Sequence, residues 1–583
     1  MPAEETKPFS SQLVPYILSF LASFCIMVVE VASGRIVARY VGAGLYTWTS
    51  VIGVVLLGIT LGNFVGGRLA DRFDARKTLA VLFFCSAFPC VGIPLVNFWV
   101  ARWLSWEFVS TIPFPLRVAT HVALVFLFPA AALGLIGPVV AKLALSHGRG
   151  AGRTVGNVYA WGALGSILGT FVTGFYLISA LGTGGVVLCV GGILGLAGLA
   201  LSPSATLLLL TVAWPLLSGS VVGFFLTVGR GLGEWVWADG QLRVRERGAE
   251  DWVYAEESQY SFIRVTENKV EKTRSLLLDF LLHAVYKPDD ENKLMYDFAK
   301  VYATLTERIT KNRSDIQALV VGGGGYVFPR YIQAHWPGSK VQVAEIDPAV
   351  TRANLKAFGL RRENVRILKG PGLKEAEPQA AQEEVGGGLV TASPPGKKPI
   401  EIFHLDARNH VDDLLELRRE GKDFKPFDFV YGDAFNDYSV PFHLVTLEFT
   451  QKIKDLLRPE TGAYLLNLID IYDSGRFLGA VYNTLHKVFP YVYIITNNAG
   501  GPRRGVTGRD TYIVLGALRA LDLSGLGTRE GEEPFAGSIL QEEHVKYLEE
   551  CSQGVILTDD FSPVENLLDE VVRRRAQKKQ TDQ

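Results

Sequence analysis

Cysteine pairs and net charge are what this chain most lacks. Of its five cysteines, Cys25, Cys85, Cys90 and Cys189 fall inside long apolar stretches and Cys551 stands alone. That excludes a disulfide framework, and with no CxxC or Cys/His cluster it gives no ligand set for zinc. A hydrophilic half without cysteine pairs fits a reducing compartment. With 58 basic and 59 acidic residues the net charge is −1, so nothing in the charge points to nucleic acid as a partner. A cleaved signal peptide is not expected, because the first apolar block is too long and several more follow.

What is present divides sharply in two. At 583 residues the chain is too long for one core. Up to about Gly229 it is dominated by Leu, Val, Gly, Ala and Phe; beyond it, charged residues are frequent and apolar runs are short. Seven blocks are long enough to span a bilayer, at about 20 apolar residues each: residues 12–32, 45–67, 78–100, 118–145, 154–180, 184–202 and 205–229. Residues 1–230 are therefore read as a polytopic α-helical membrane domain. Within it, Gly58, Gly62 and Gly66 recur every four residues, as do Gly165 and Gly169, giving helix faces smooth enough for close packing. Glu30 is costly inside a span and should face a partner or a cavity, as should Asn63, Asn157 and His121 in milder form. The alternatives are helix-to-helix hydrogen bonds or a small-molecule path. Basic residues between spans two and three (Arg68, Arg72, Arg76, Lys77) and between spans four and five (Lys142, Arg149, Arg153) place those loops in the cytoplasm. Seven spans would then put the carboxyl-terminal half outside, whereas Arg230, Arg243, Arg245 and Arg247 after the last block argue that it faces inward.

In the second half, residues 231–285 alternate short apolar runs with turns and read as a small β subdomain of hairpins. Residues 286–570 read as an α/β Rossmann-like domain with an open, mainly parallel sheet. A stretch over 370–398, rich in Gly, Pro, Ala and Glu, interrupts it as a flexible insertion, and residues 571–583 form a polar tail. Its first unit is the most informative segment of the chain, LVVGGGGYVFPRYIQAHWPGSKVQVAEIDP. Leu319–Val321 form a strand covered on both faces, and Gly322, Gly323, Gly324 and Gly325 permit a tight turn and close approach of a ligand. After the next strand comes Glu345, about 20 residues beyond the turn, where nucleotide-type folds place a carboxylate for ribose hydroxyls. Asp406 and Asp433 end the strands of IEIFHLDAR and FDFVYGDAF, so three acids converge on one cleft, with Asn436, Asp437 and Tyr438 close to Asp433. Such a cluster suits a cationic substrate and can take a proton from an ammonium. Solvated loop acids are the plain alternative.

These motifs resemble those of the polyamine aminopropyltransferases, the spermidine synthase family, and more closely its bacterial group with a multi-span membrane domain fused in front. The resemblance spans residues 235–568. GGGGYVFPR stands where the family has GGGDGG, VAEIDP matches VEIDP, and ESQYSFI and LLLDFLLH echo SxYQxI and LDGxxQ. The resemblance implies a class I methyltransferase-like fold and an enzyme of spermidine biosynthesis. Decarboxylated S-adenosylmethionine would be co-substrate, with no tightly bound cofactor and no metal, and putrescine or a related amine would accept the aminopropyl group. It implies Asp433 as base, Glu345 and the glycines at the nucleoside, Asp406 and Ala407 at the adenine side, and Ser261 in the upstream donor motif. The YHE motif of the acceptor site reads Tyr296, Asp297, Phe298, with Asp437 and Tyr438 nearby. Departures from the pattern include Gly325 in place of the aspartate that holds the donor's amino group, Ser261 in place of a glutamine, Asp297 with a carboxylate where the family has histidine, and Phe298 where it has glutamate. The implied location is the inner cell membrane, multi-pass, with the catalytic domain cytoplasmic because the donor is cytosolic. A homodimer is one option for assembly. Two rival readings are a methyltransferase using S-adenosylmethionine and a nucleoside-binding sensor or transporter without turnover.

Overall fold

Up to Leu201 the chain is helical, as an apolar backbone must be where no water can satisfy its polar groups. The computed structural model describes residues 9–41, 44–104, 114–146, 150–202, 251–279, 281–290, 293–310, 313–368, 398–422, 424–435, 440–496, 502, 508–523 and 538–571. Two compact units emerge, one reaching to Gly248 and including Glu257–Gln259, the other formed by Ala249–Glu256 and the residues from Tyr260 onward.

The first unit contains α1 (Phe9–Val41), α2 (Leu45–Arg72), α3 (Ala75–Leu104), α4 (Phe114–Gly134), α5 (Ile136–Leu145), α6 (Ala151–Val172) and α7 (Ile178–Leu201). Helices α4 and α5 form one long segment, so six stretches among the described residues are long and apolar enough to cross a bilayer. The seventh expected block, 205–229, lies outside the described residues. Large apolar side chains such as Phe64, Phe128, Phe175 and Leu196 point outward, a surface suited to lipid.

The glycine faces pack as the four-residue spacing requires. A side chain at Gly62 would meet the Ala131 carbonyl oxygen at 2.2 Å, and one at Gly66 the Leu135 oxygen at 2.5 Å, so α2 lies backbone to backbone on α4 and the start of α5. Gly165 makes the same approach to Phe20 of α1, at 2.2 Å. His121 is buried and its Nε2 pairs with Asn97 Oδ1 at 2.8 Å, while the Asn97 amide donates to the Ile36 carbonyl at 3.3 Å. That is the helix-to-helix hydrogen bonding weighed for His121.

In the second unit, β1 (Asp251–Glu257), β2 (Phe262–Asn268), β3 (Thr273–Leu278) and β4 (Leu281–Tyr286) form a four-stranded sheet in sequence order. The runs WVWA and LRVRE also read as part of it lie outside the described residues. Helix α8 (Asp297–Thr310) leads into a nine-stranded sheet of order β13-β11-β12-β10-β9-β5-β6-β8-β7. Six of its strands run parallel: β5 (Gln317–Val321), β6 (Lys340–Ala344), β7 (Val365–Leu368), β8 (Ile400–Phe403), β9 (Phe429–Gly432) and β10 (Ala463–Asp470). The remaining strands, β11 (Tyr491–Thr496), β12 (Asp510–Ala517) and β13 (Ser538–Ile539), join antiparallel.

Period-two alternation supplies a core on each face of this Rossmann-like sheet. Leu319, Val321 and Val430 pack with α11 (Ala407–Arg419), α12 (Leu447–Leu456) and α13 (Arg476–His486). Ala318, Val320, Phe429 and Tyr431 pack with α8 and α9 (Val327–His335) on the other face. The small sheet lays Ile263, Val265, Leu276 and Ala284 on α10 (Pro348–Ala357). At the amino-terminal edge, Asp428 takes Arg313 at 2.9 Å, Arg458 at 2.7 Å and the Gln317 N–H at 2.8 Å, tying β9 to both neighbouring segments.

Candidate active site

At the opposite edge, β5 breaks into the glycine turn. Gly322 has φ +95°, and a side chain there would strike the Asp433 carbonyl oxygen at 2.6 Å, so glycine is required both by conformation and by space. Its N–H still donates to the Ala344 oxygen at 2.9 Å, and the Asp433 N–H to Val321 oxygen at 2.9 Å, carrying the ladder to the carboxyl ends of β6 and β9. Gly324 (φ +47°) and Tyr326 (φ +52°) complete the turn in the left-handed region. For tyrosine that conformation costs about 1–2 kcal/mol. Burial offsets it. The ring packs beneath Gly323, whose side-chain position lies 2.7 Å from Tyr326 Cζ, and the Tyr326 hydroxyl pairs with Thr351 Oγ1 at 2.7 Å.

Glu345 braces the same turn from the end of β6. Its Oε2 accepts the Gly323 N–H at 2.9 Å and the Gly324 N–H at 3.3 Å, and its Oε1 accepts the Asp347 N–H at 2.9 Å. Burial pushes its carboxyl up to about 7, against the pull of those three N–H groups.

Asp433 follows β9 and is half-buried. Asn467 of β10 donates to its Oδ1 at 2.9 Å. Burial pushes Asp433 up to about 7, with the Asn467 bond acting in the opposite direction. Asp433 and the glycine turn line a cleft together with His283 and Ala284 of β4 and with Met295, Tyr296, Phe298 and Tyr302 in and before α8. The Tyr296 hydroxyl is buried and has no hydrogen-bond partner among the described residues. Burial, helped by the Asp433 charge, pushes that phenol up to about 12. His283 is held neutral, burial bringing it down to about 4.

The other residues read from sequence fall in different places. Asp406 caps α11 through the Arg408 N–H at 2.8 Å and pairs with His443 Nε2 at 2.9 Å. Burial works to raise it, yet the His443 and Arg408 contacts hold it below the ordinary carboxylate range. Ala407 is buried at the first turn of that helix, and Ser261 is buried just before β2. Tyr260 is exposed, and partial burial together with the charges of Asp347, Asp406 and Glu345 pushes its phenol up, so it stands near those carboxylates. Asp297 does not join the cleft: it sits in the first turn of α8, half exposed, with Lys300 Nζ at 3.0 Å. The carboxylate expected there to serve an acceptor amine is turned to solvent, because Lys300 stands one helical turn away on the same face. Asn436, Asp437 and Tyr438 lie outside the described residues.

Position 325 is closed. A side chain on Gly325 would meet Ala284 Cβ at 2.4 Å and Phe358 Cε1 at 2.7 Å. The space that an aspartate would fill is occupied by the small sheet and the end of α10. Sequence reasoning missed two residues of the cleft. Asn467 carries no motif, and only the pairing of β10 with β9 reveals it. His283 was within reach, standing at the last position of the LDGxxQ echo.

No family model matches the chain. Among curated proteins, it is 25% identical over 289 residues to a polyamine aminopropyltransferase of Vibrio vulnificus, covering 48% of this chain and 78% of that one. It is 28% identical over 178 residues to the eEF1A lysine and N-terminal methyltransferase of Bos taurus, covering 30% of this chain and 20% of that one. Among solved structures, a probable spermidine synthase from Corynebacterium glutamicum aligns with TM-score 0.38 at 17% identity, over 54% of this chain and 99% of that chain. The second unit is therefore a distant spermidine synthase-like, polyamine aminopropyltransferase-like domain, on a chain with six long apolar helices.

Proposed function

We propose that this protein is a membrane-bound aminopropyltransferase that uses decarboxylated S-adenosylmethionine as donor and putrescine or a related amine as acceptor. One observation carries the reading. Asp433 stands in the cleft beside the glycine turn, held by Asn467, with its carboxyl near 7. A base whose pKa lies near the working pH balances availability against proton affinity.

In the proposed step the amine nitrogen, freed of one proton by Asp433, attacks the carbon bonded to the sulfonium. A C–N bond forms, the C–S bond breaks with its electron pair going to sulfur, and neutral methylthioadenosine leaves. The leaving group is already activated, so the protein's share is positioning and proton transfer. Glu345 and the glycine turn would hold the ribose, and Asp406, Ala407 and Tyr260 the adenine side. The apolar helices would keep the enzyme in the cell membrane, with the second unit facing the cytoplasm, where such a donor is made.

Methyl transfer from S-adenosylmethionine is the second reading, and the closed position at Gly325 favours it. The family's partner for the aminopropyl ammonium is absent, and neighbouring side chains fill its place. Mass spectrometry of products from purified protein, given each donor with a panel of amines, decides between the two. An aminopropylated product supports the first reading, a methylated product the second. Binding of methylthioadenosine without any product would leave a nucleoside-binding protein.

A further inference from the structure

Among the described residues, the cleft beside Asp433 offers a carboxylate at one end only. Among its described lining residues Asp433 is the sole acid, and there is no lysine or arginine. His283, kept neutral by burial, can accept one hydrogen bond from an ammonium but supplies no negative charge. Away from Asp433 the walls are Ala284, Met295, Phe298, Val327 and Phe328. The neighbouring carboxylate that could have received a second ammonium, Asp297, points to solvent and is engaged by Lys300. In the same cleft as Asp433, the buried Tyr296 hydroxyl has no partner among the described residues and can accept a hydrogen bond from the nitrogen that the carboxylate binds.

From this arrangement we propose that the acceptor is a primary monoamine with an apolar or aromatic body, rather than a diamine or polyamine. The inference rests on the amine-acceptor reading above and narrows its substrate class. One ammonium finds Asp433 and Tyr296. A second ammonium a few carbons along would lie among aromatic and aliphatic walls, where an unpaired charge is strongly disfavoured. A methyl or phenyl group in its place would gain from leaving water. The aromatic faces of Phe298 and Phe328 give only partial compensation for a cation, well below that of a carboxylate.

The test uses full-length protein in detergent, saturated with methylthioadenosine and titrated calorimetrically with butylamine, pentylamine, phenethylamine, putrescine and cadaverine. The monoamines should bind at least tenfold tighter than the diamines of matched length. Phe298→Asp, which adds a second acid to the far wall, should move the preference toward the diamines. Diamine binding equal to or tighter than that of the monoamines in the unaltered protein overturns the proposal, as does a monoamine preference that Phe298→Asp in a folded variant leaves unmoved. Transfer assays with the same amines separate this inference from the one beneath it. A preserved monoamine preference without transfer from either donor supports the pocket assignment and sinks the enzymatic reading. Transfer that favours putrescine supports the enzymatic reading and sinks the monoamine.

Discussion

Asn467 on β10 donates its amide N–H to Asp433 Oδ1 at 2.9 Å, linking two residues that share no sequence motif. The parallel register of Tyr464 with Val430 and Leu466 with Gly432 brings them side by side one step beyond the ladder. The bond favours the ionised carboxylate, so it restrains a pKa that burial would otherwise drive higher.

Turnover should therefore rise with pH through a midpoint near 7, since only the ionised Asp433 can take a proton. Asp433→Asn should lower turnover by about 10²–10⁴ while methylthioadenosine still binds. Asn467→Ala removes the bond that favours the ionised form, so its midpoint should move to higher pH. A full pH–rate profile for each variant checks this, and an unmoved midpoint in Asn467→Ala would detach that residue from the base.

Thermal stability should fall as pH rises from about 6.5 to 8. Burial raises Glu345, Asp433 and Asp470 to about 7 in the folded protein, so between the ordinary carboxylate range and 7 the folded state holds more protons than the unfolded. Stability from such groups is complete below their unfolded pKa and is lost as pH climbs through the folded value. Asp406 and Asp428, held low, act in the opposite sense only on the acid side, and His283, His404 and His410, which burial brings down to about 4, 4 and 3, oppose the fall up to about 6.5 and not beyond. Melting in detergent at half-unit pH steps tests the slope. A melting temperature that rises over this window would contradict the burial of those three acids.

Glu345→Gln should loosen the glycine turn. The amide replaces one acceptor oxygen with an N–H₂ that faces the backbone donors of Gly323 and Gly324 or of Asp347. Lost charge-assisted bonds of roughly 1.5–3 kcal/mol predict a fall in methylthioadenosine affinity of about tenfold or more. Calorimetry giving unchanged affinity would mean that the nucleoside does not use this turn.

Restoring the family's acid with Gly325→Asp should fail. The new Cβ would lie 2.4 Å from Ala284 Cβ, so the variant should melt earlier and should not gain affinity for the decarboxylated donor. Tighter binding of that donor at unchanged melting temperature would show that the wall yields.

In the first unit, Gly62→Leu should destabilise strongly while Gly67→Leu should be nearly silent. The first side chain would enter the Ala131 carbonyl, whereas nothing lies within 4 Å of the second. Overpacking costs about 1–3 kcal/mol or more, visible as a lower melting temperature in detergent. Equal effects at the two positions would refute the backbone contact.

The central strands were legible because parallel strands buried on both faces are written as apolar runs, as in Leu319–Val321 before the glycine turn, or as Val341 and Val343 about Gln342. Strand β7 was not read because four residues, Val365–Leu368, carry too short a pattern, and β12 went unread although TYIVLGA is plainly strand-like. The gathering of Glu345, Asp406 and Asp433 at one sheet edge was legible from spacing, since strand ends in a parallel sheet share one side. The acceptor side was less so. Asp297 looked equivalent to a site residue by alignment, but its orientation depends on where α8 begins and on Lys300 one turn later. The closed position at Gly325 arises from Ala284 and Phe358, which only the packing of the small sheet brings there.

The order β8-β6-β5-β9-β10 has a consequence for how the cleft comes into being. The chain lays down β5, β6 and β8 to one side, then crosses back to place β9 on the free flank of β5. The crevice at that reversal lies between Gly322 and Asp433, whose backbones touch although more than a hundred residues separate them. Contacts so distant in sequence are slow to form, because loop closure must come before any gain from pairing. A nascent or partly folded chain can thus own the glycine turn and Glu345 yet possess no base. Nucleoside affinity and the ability to deprotonate an amine should appear at different moments of refolding, the second only when β9 has docked.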